Sequence, residues 1–536
     1  MLAAGPRVLV TVGVADALVW APCCALPAPT GTAFAPTSSP CLPSVRRASV
    51  ASLKVVDGTM PPRRAPVSTV LMLLYTSFLV LGVSWAYDFP GAMFSFLSDR
   101  FGTSYSSGDN QLLYSVYNWP NVVIVLLAGF AIDQWVGISR STVCLTLLVL
   151  IGQCLFSLAV QWRLFWLAGV GRFVFGLGGE AIKVAQSTWI VLLSDASNMS
   201  WRFGVVLSVS RLAGAVNFAL TPTIGEASIL AAVWLGTVIA AISCGAAFAL
   251  VRMYKSRMMR LKLDESSSMN TGIDTAAASP DASVPRPGVR AQLIAMWIVL
   301  RSFPGTVWLQ FAICVFYHVG VLLLYQIAST LLQQTGAGYT ERNASLLVAI
   351  PAFVSIFGTP WAGHLVDKYG HALDSILVAS GMLILSHLLL IAYVLEWFVG
   401  AGAAGLALVV VALVTTGVSY SMATASIWPL VPFLLPPSQV AIGYGAMASV
   451  ENLGLALMTV ILSSASNASG SPASPWPHVV SLLLLMFTSG VAVVCVIIQI
   501  YTDRTAHGGR LNKRAVERQL AVDSVTLDER TVPAIS

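Results

Sequence analysis

Gly363-His364-Leu365-Val366-Asp367-Lys368-Tyr369-Gly370-His371 is a charged turn set between two apolar runs. A looser copy, Gly129-Phe130-Ala131-Ile132-Asp133 followed by Gly137 and Arg140, stands between two earlier apolar runs and has one extra residue before its second glycine. The glycines permit a tight turn and close helix approach. The aspartate suits the N-terminus of a neighbouring helix, where negative charge is favoured. Two copies at equivalent places imply two related halves. Gly129, Asp133, Gly363, Asp367 and Gly370, together with Arg172, are therefore expected to gate a machine with two conformations.

Outward from these turns the chain alternates with apolar runs of about 20 residues, the length that spans a bilayer as a helix. About twelve can be read, near 68–90, 111–132, 141–161, 164–192, 203–224, 228–251, 305–332, 343–363, 372–396, 403–433, 440–464 and 477–501. The 536 residues are 57% hydrophobic and 10% charged, with a mean hydropathy of +0.80. Soluble globular proteins carry about 25% charged residues, so water-soluble classes are excluded. A porin-like barrel needs short alternating segments, which this chain lacks. The net charge of +6 lies in tails and loops, so no nucleic-acid partner is implied. The expected fold is an all-α membrane protein with twelve transmembrane helices in two pseudo-symmetric six-helix halves, 68–252 and 305–502. Between them, 253–304 begins basic and becomes Ser/Ala/Pro-rich from Asp264 to Pro287. It reads as a largely disordered cytosolic linker.

Lys/Arg placement sets the orientation. With a cytosolic N-terminus, Arg46, Arg47, Arg63, Arg64, Arg140, Arg202, Lys368 and the basic linker lie inside, against Arg100, Arg163 and Arg342 outside. Both tails, 1–67 and 503–536, are then cytosolic. Val8 to Ala25 resembles a weak signal peptide, but Asp16 interrupts its apolar run, and a disordered tail is the preferred reading. Asn343-Ala344-Ser345 and Asn467-Ala468-Ser469 fall on the lumenal or external side as glycosylation acceptors, whereas Asn198-Met199-Ser200 falls inside. Five of the eight cysteines lie in apolar runs, where cysteine acts as a small hydrophobe. No cysteine pair with nearby histidines has zinc-ligand spacing, so neither a metal nor a cofactor is read.

Function is concentrated in Gly171-Arg172-Phe173-Val174-Phe175-Gly176-Leu177-Gly178-Gly179-Glu180, with Lys183 beyond it and Arg211 one span later. A charge at the bilayer centre costs roughly 2.5–3.5 kcal/mol, so such residues face a cavity or a partner. Arg172, Gly176, Glu180 and Lys183 share one helix face. At 1.5 Å per residue, Glu180 lies roughly 15 Å, and Arg211 roughly 12 Å, from the cytosolic ends of their spans. That common depth is where transporter sites lie. Glu180 and Arg211 read either as a structural ion pair or as a pair parted by a zwitterion, with Glu180 on its ammonium and Arg211 on its carboxylate. Lys183 reads as a partner of Glu180. Tyr114, Tyr117, Trp119, Asn217, Tyr317, Tyr420, Trp428 and Glu451 are further candidates for the cavity wall, with Asp88, Asn121 and His318 nearby. The chain has no phosphate-binding loop, no H-E-x-x-H and no serine elbow, so no enzyme is indicated.

The turn pattern and Arg172-x-x-x-Gly176-x-Gly178 fit the major facilitator superfamily. Within it the chain resembles the lysosomal dipeptide transporters, through Tyr87-Asp88-Phe89-Pro90, Leu113 to Val123, Gly171 to Gln186 and Ser210-Arg211-Leu212 with Asn217. Gly417 to Ser421, Trp428-Pro429 and Asn452 to Ala456 extend the likeness, which covers about 70–503. The resemblance implies a uniporter exporting dipeptides, chiefly cationic ones, from lysosome to cytosol. It also implies a glycosylated accessory subunit and allows a homodimer. Glu180 and Arg211 fall where that family carries its dipeptide-engaging acid and arginine. Lys183 replaces a small or apolar residue, and Glu451 replaces a glutamine. No convincing acidic dileucine signal is present. The alternatives are a proton-coupled carrier of small organic solutes using Glu180 or Glu451, and a nutrient sensor that does not transport.

Overall fold

The computed structural model describes residues 67–102, 105, 107–269, 289–335, 339–395, 402–468, 476–514 and 517. Among them twelve helices are long and apolar enough to cross a membrane. Spans 1 to 6 are Ser68–Tyr87, Leu112–Trp135, Ile138–Trp162, Phe165–Leu193, Met199–Ala227 and Ile229–Arg260. Spans 7 to 12 are Gly305–Gln334, Arg342–Tyr369, Ala372–Val394, Ala403–Leu434, Pro437–Leu462 and Trp476–Ala506. The described residues contain no strand. This is the expected all-α membrane fold, in which each segment satisfies its own backbone without water.

Two six-helix halves repeat one packing scheme. Span 3 lies along span 4, and its counterpart span 9 along span 10. The halves meet through span 2 on span 11 and span 8 on span 5, again equivalent pairs. One apolar core joins both halves, with Trp189, Phe203, Phe311 and Tyr444 fully buried in it.

Span 1 does not run straight on as read. Helix Leu81–Tyr87 gives way at Asp88 to the short helices Phe89–Ala92 and Phe94–Phe101. Pro90 has no N–H, so the Ala86 carbonyl loses its helical partner. Arg172 Nη1 donates to that carbonyl at 2.8 Å and Nη2 to the Tyr87 carbonyl at 3.0 Å. The Gly91 N–H donates to Tyr114 Oη at 3.0 Å. The backbone groups freed by the break are thus answered by spans 2 and 4, as burial demands.

Of the segment 253–304, read as a largely disordered linker, 270–288 lie outside the described residues and both flanks are helical. Helix Ile229–Met269 enters it from one side, and helix Val289–Arg301 occupies its far end. The second helix packs Met296, Val299 and Leu300 on the core. That three-and-four spacing makes an apolar face, masked in the sequence by the polar stretch before it. The start of the C-terminal tail is also held: the Asn512 carbonyl accepts from the His371 N–H at 2.8 Å, and its Oδ1 from the Leu373 N–H at 2.7 Å. The signal-peptide and tail readings fall at 1–66, outside the described residues.

Candidate functional site

A cavity of about 390 Å³ lies between the halves, within the roughly 300–1,000 Å³ usual for small-molecule sites. It reaches from mid-bundle to Asn110 and Gln334 at one end, the end that the basic residues place outside the cytosol. Asp88, Tyr114, Glu180, Lys183 and Arg211 line it from the N-terminal half. His318, Tyr325, Tyr420, Trp428 and Glu451 line it from the other.

Glu180 and Arg211 do not pair. Glu180 Oε1 accepts from Lys183 Nζ at 2.6 Å and from Tyr117 Oη at 2.7 Å. Lys183 keeps 41% of its side chain exposed, against 12% for Glu180, so the ammonium can swing away while the carboxylate stays. The Arg211 guanidinium lies over the Tyr420 ring, 4.1 Å from its centroid. Among the described residues no carboxylate forms an ion pair with it. A planar guanidinium stacked on an aromatic face keeps its edge N–H donors available for a carboxylate. The wall therefore offers an anionic and a cationic pole that leave room for a third party.

Across the cavity, Glu451 Oε1 lies 3.4 Å from His318 Nδ1, and Cys314 Sγ lies 3.7 Å from Glu451 Oε2. The His318 ring stands near Tyr420 and Trp428, at centroid separations of 6.2 and 6.1 Å.

The remaining sequence candidates divide. Tyr114, Tyr420 and Trp428 line the cavity as expected. Tyr117 is fully buried and donates to Glu180 instead of lining the wall. Trp119 is 46% exposed on the outer surface: two residues past Tyr117 is about 200° round a helix, which turns it away. Asn217 is buried off the cavity, accepting from Thr221 Oγ1 at 2.6 Å. Tyr317 is likewise tied to Ser419 Oγ at 2.7 Å, one helix position away from the cavity-lining His318. Tyr325 was missed, although the spacing His318, Leu322, Tyr325, Ser329 marks one helix face. Cys314 was read as a mere hydrophobe, although it stands four residues before His318 on that helix.

The repeated turns sit at the opposite end and join the halves. Asp367 accepts from the Ser200 and Trp201 N–H groups at 3.1 and 2.7 Å, in the first turn of span 5. Asp133 accepts from the Ile442 N–H at 2.9 Å, near the start of span 11. Each aspartate thus caps a helix of the other half, supplying a partner for orphan N–H groups and the favoured charge. A Cβ on Gly363 would lie 2.7 Å from the Ser200 carbonyl carbon, and one on Gly129 would run into the Ala441 carbonyl oxygen, so these contacts need glycine. Gly370 closes span 8 with φ +80. The extra residue of the first copy is taken up by a π-helical turn, Ala131–Trp135, the usual form of such an insertion. Arg172 stands apart from these latches. It is 1% exposed and holds the span 1 break, with its guanidinium carbon 5.3 to 5.9 Å from four aromatic centroids.

Comparison with known proteins places this geometry. The family model described as Major Facilitator Superfamily matches residues 73–459. The lysosomal dipeptide transporter MFSD1 of Danio rerio is 30% identical over 412 residues, covering 75% of this chain and 81% of that one. Its Homo sapiens counterpart is 28% identical over 471 residues, covering 84% and 89%. Among solved structures, the proton:xylose symporter XylE bound to 6-bromo-6-deoxy-D-glucose aligns with TM-score 0.60 at 12% identity, covering 85% of this chain and 99% of that one. FucP in the outward conformation aligns with TM-score 0.54 at 15% identity, covering 81% and 99%.

Proposed function

The chain belongs to the major facilitator superfamily, a superfamily of transporters and not of enzymes, as a relative of the lysosomal dipeptide transporters, and from that premise we propose that it carries dipeptides by alternating access. One observation carries the reading. Glu180 and Arg211 line a single cavity with opposite charge, and the guanidinium has no carboxylate partner among the described residues. A dipeptide has an ammonium at one end and a carboxylate at the other. Its carboxylate takes Arg211, preferably through two parallel N–H bonds. Its ammonium takes Glu180 after displacing Lys183. Asp133 and Asp367 keep the cytosolic end shut until binding energy is spent on opening it.

The names of the relatives support dipeptide transport at a lysosomal membrane; the proposed direction is export from a lysosomal or vacuolar lumen to the cytosol, with uniport as the simplest mode. Asn343, exposed at the lumenal end, and Asn467, near the end of helix Val440–Ala468, are the proposed glycosylation acceptors. The test is uptake of labelled Lys-Ala, against free lysine, into proteoliposomes without any ion gradient. Saturable dipeptide uptake that stops at equilibrium is expected. Accumulation only after acidifying the outside would replace uniport with proton coupling, and binding without uptake would replace the carrier with a sensor.

A further inference from the structure

We infer that Cys314, His318 and Glu451 form a binding site for a divalent transition-metal ion of the zinc type, set in the wall of the central cavity. Cys314 Sγ and His318 Nδ1 are 3.1 Å apart, His318 Nδ1 and Glu451 Oε1 3.4 Å, and Cys314 Sγ and Glu451 Oε2 3.7 Å. Tetrahedral zinc with Zn–S about 2.3 Å and Zn–N or Zn–O about 2.0–2.2 Å requires ligand separations of about 3.3–3.6 Å. Each pair of side chains stands within a few tenths of an ångström of that range, with Glu451 turning Oε1 toward His318 and Oε2 toward Cys314. Among the described residues no other three such side chains converge in this way.

The placement is independent of the spacing. Cys314 and His318 lie four residues apart on span 7 and share a face, while Glu451 comes from span 11. Cys314 is fully buried behind the wall, and His318 and Glu451 line the cavity itself. An ion held by the three would therefore turn its fourth position toward the cavity, the arrangement of three protein ligands with one open site. Thiolate and imidazole select zinc-like ions over magnesium or calcium, which prefer all-oxygen shells. Binding converts the Cys314 thiol to a thiolate and releases its proton to water. Occupancy puts a positive centre where the wall otherwise presents a carboxylate.

The site stands or falls without reference to the cargo, and its test reads metal alone. The full chain, purified with its thiols reduced and on a tag free of histidine, is titrated with Co²⁺. One equivalent is expected to bind with a thiolate-to-cobalt charge-transfer band, and Zn²⁺ should displace it. Cys314→Ser should abolish the band, and His318→Gln and Glu451→Gln should each weaken binding at least tenfold. Each variant is first checked for parental thermal unfolding. Cys314→Ser is isosteric enough to keep the fold should the other two fail. A parent without the band, or a folded Cys314→Ser variant that keeps it, overturns the assignment.

Discussion

On the N-terminal half's wall of the cavity, Glu180, Lys183 and Arg211 supply both signs of charge. On the C-terminal half's wall, Tyr420, Trp428 and His318 surround one carboxylate, Glu451, which has no lysine or arginine partner among the described residues. Under the proposed function the two walls divide the work of recognition. The first matches what every dipeptide shares, an ammonium and a carboxylate at fixed separation. The second offers aromatic area and a single negative charge, which suit a variable side chain. Arg211 joins the two, because its guanidinium rests on Tyr420 of the opposite half.

Four substitutions separate these roles, in descending size. Arg211→Ala removes the common carboxylate contact. Losing one partner of a buried charge pair costs about 2–5 kcal/mol, so kcat/KM for dipeptide uptake should fall at least about 30-fold whatever the side chains. Glu180→Gln keeps the shape and removes the charge. A hydrogen bond to a charged group contributes about 1.5–3 kcal/mol, and competition binding should show a loss of about tenfold or more for all dipeptides. Glu451→Gln should behave differently. Lys-Ala affinity should fall about fivefold, on the order of 1 kcal/mol, while Ala-Ala affinity stays unchanged. Equal losses for both dipeptides would erase the division between the walls. Lys183→Leu is the mildest. A half-exposed ion pair is worth about 0–1 kcal/mol, so freeing Glu180 should tighten dipeptide binding by no more than about fivefold.

The fold was legible because length and polarity suffice for it. Apolar runs gave twelve spans, and the two glycine-aspartate turns showed that the halves repeat. The turns also announced their contacts, since an aspartate beside a glycine in a short loop needs a helix start nearby. What could not be read were the partners. Nothing local says that Asp133 meets Ile442, 309 residues on, or that Glu451 meets Cys314 and His318. Trp119 differs for another reason: it stands close to Tyr117 in sequence but about 200° round the helix, and its side chain is exposed. Tyr325 and Cys314 were recoverable by following the helix round from His318. Helix Val289–Arg301 was hidden because its apolar face adjoins a stretch too polar to fold by itself.

The proposed role of Arg211 is to read the carboxylate of the cargo. The most direct measurement is binding of Lys-Ala and of its C-terminal amide to purified parent and Arg211→Ala protein, arranged as a double-mutant cycle. The parent should prefer the free carboxylate by at least about 30-fold, a difference of about 2 kcal/mol, and the variant should bind both ligands alike. A folded Arg211→Ala protein that still discriminates as strongly as the parent would contradict that role.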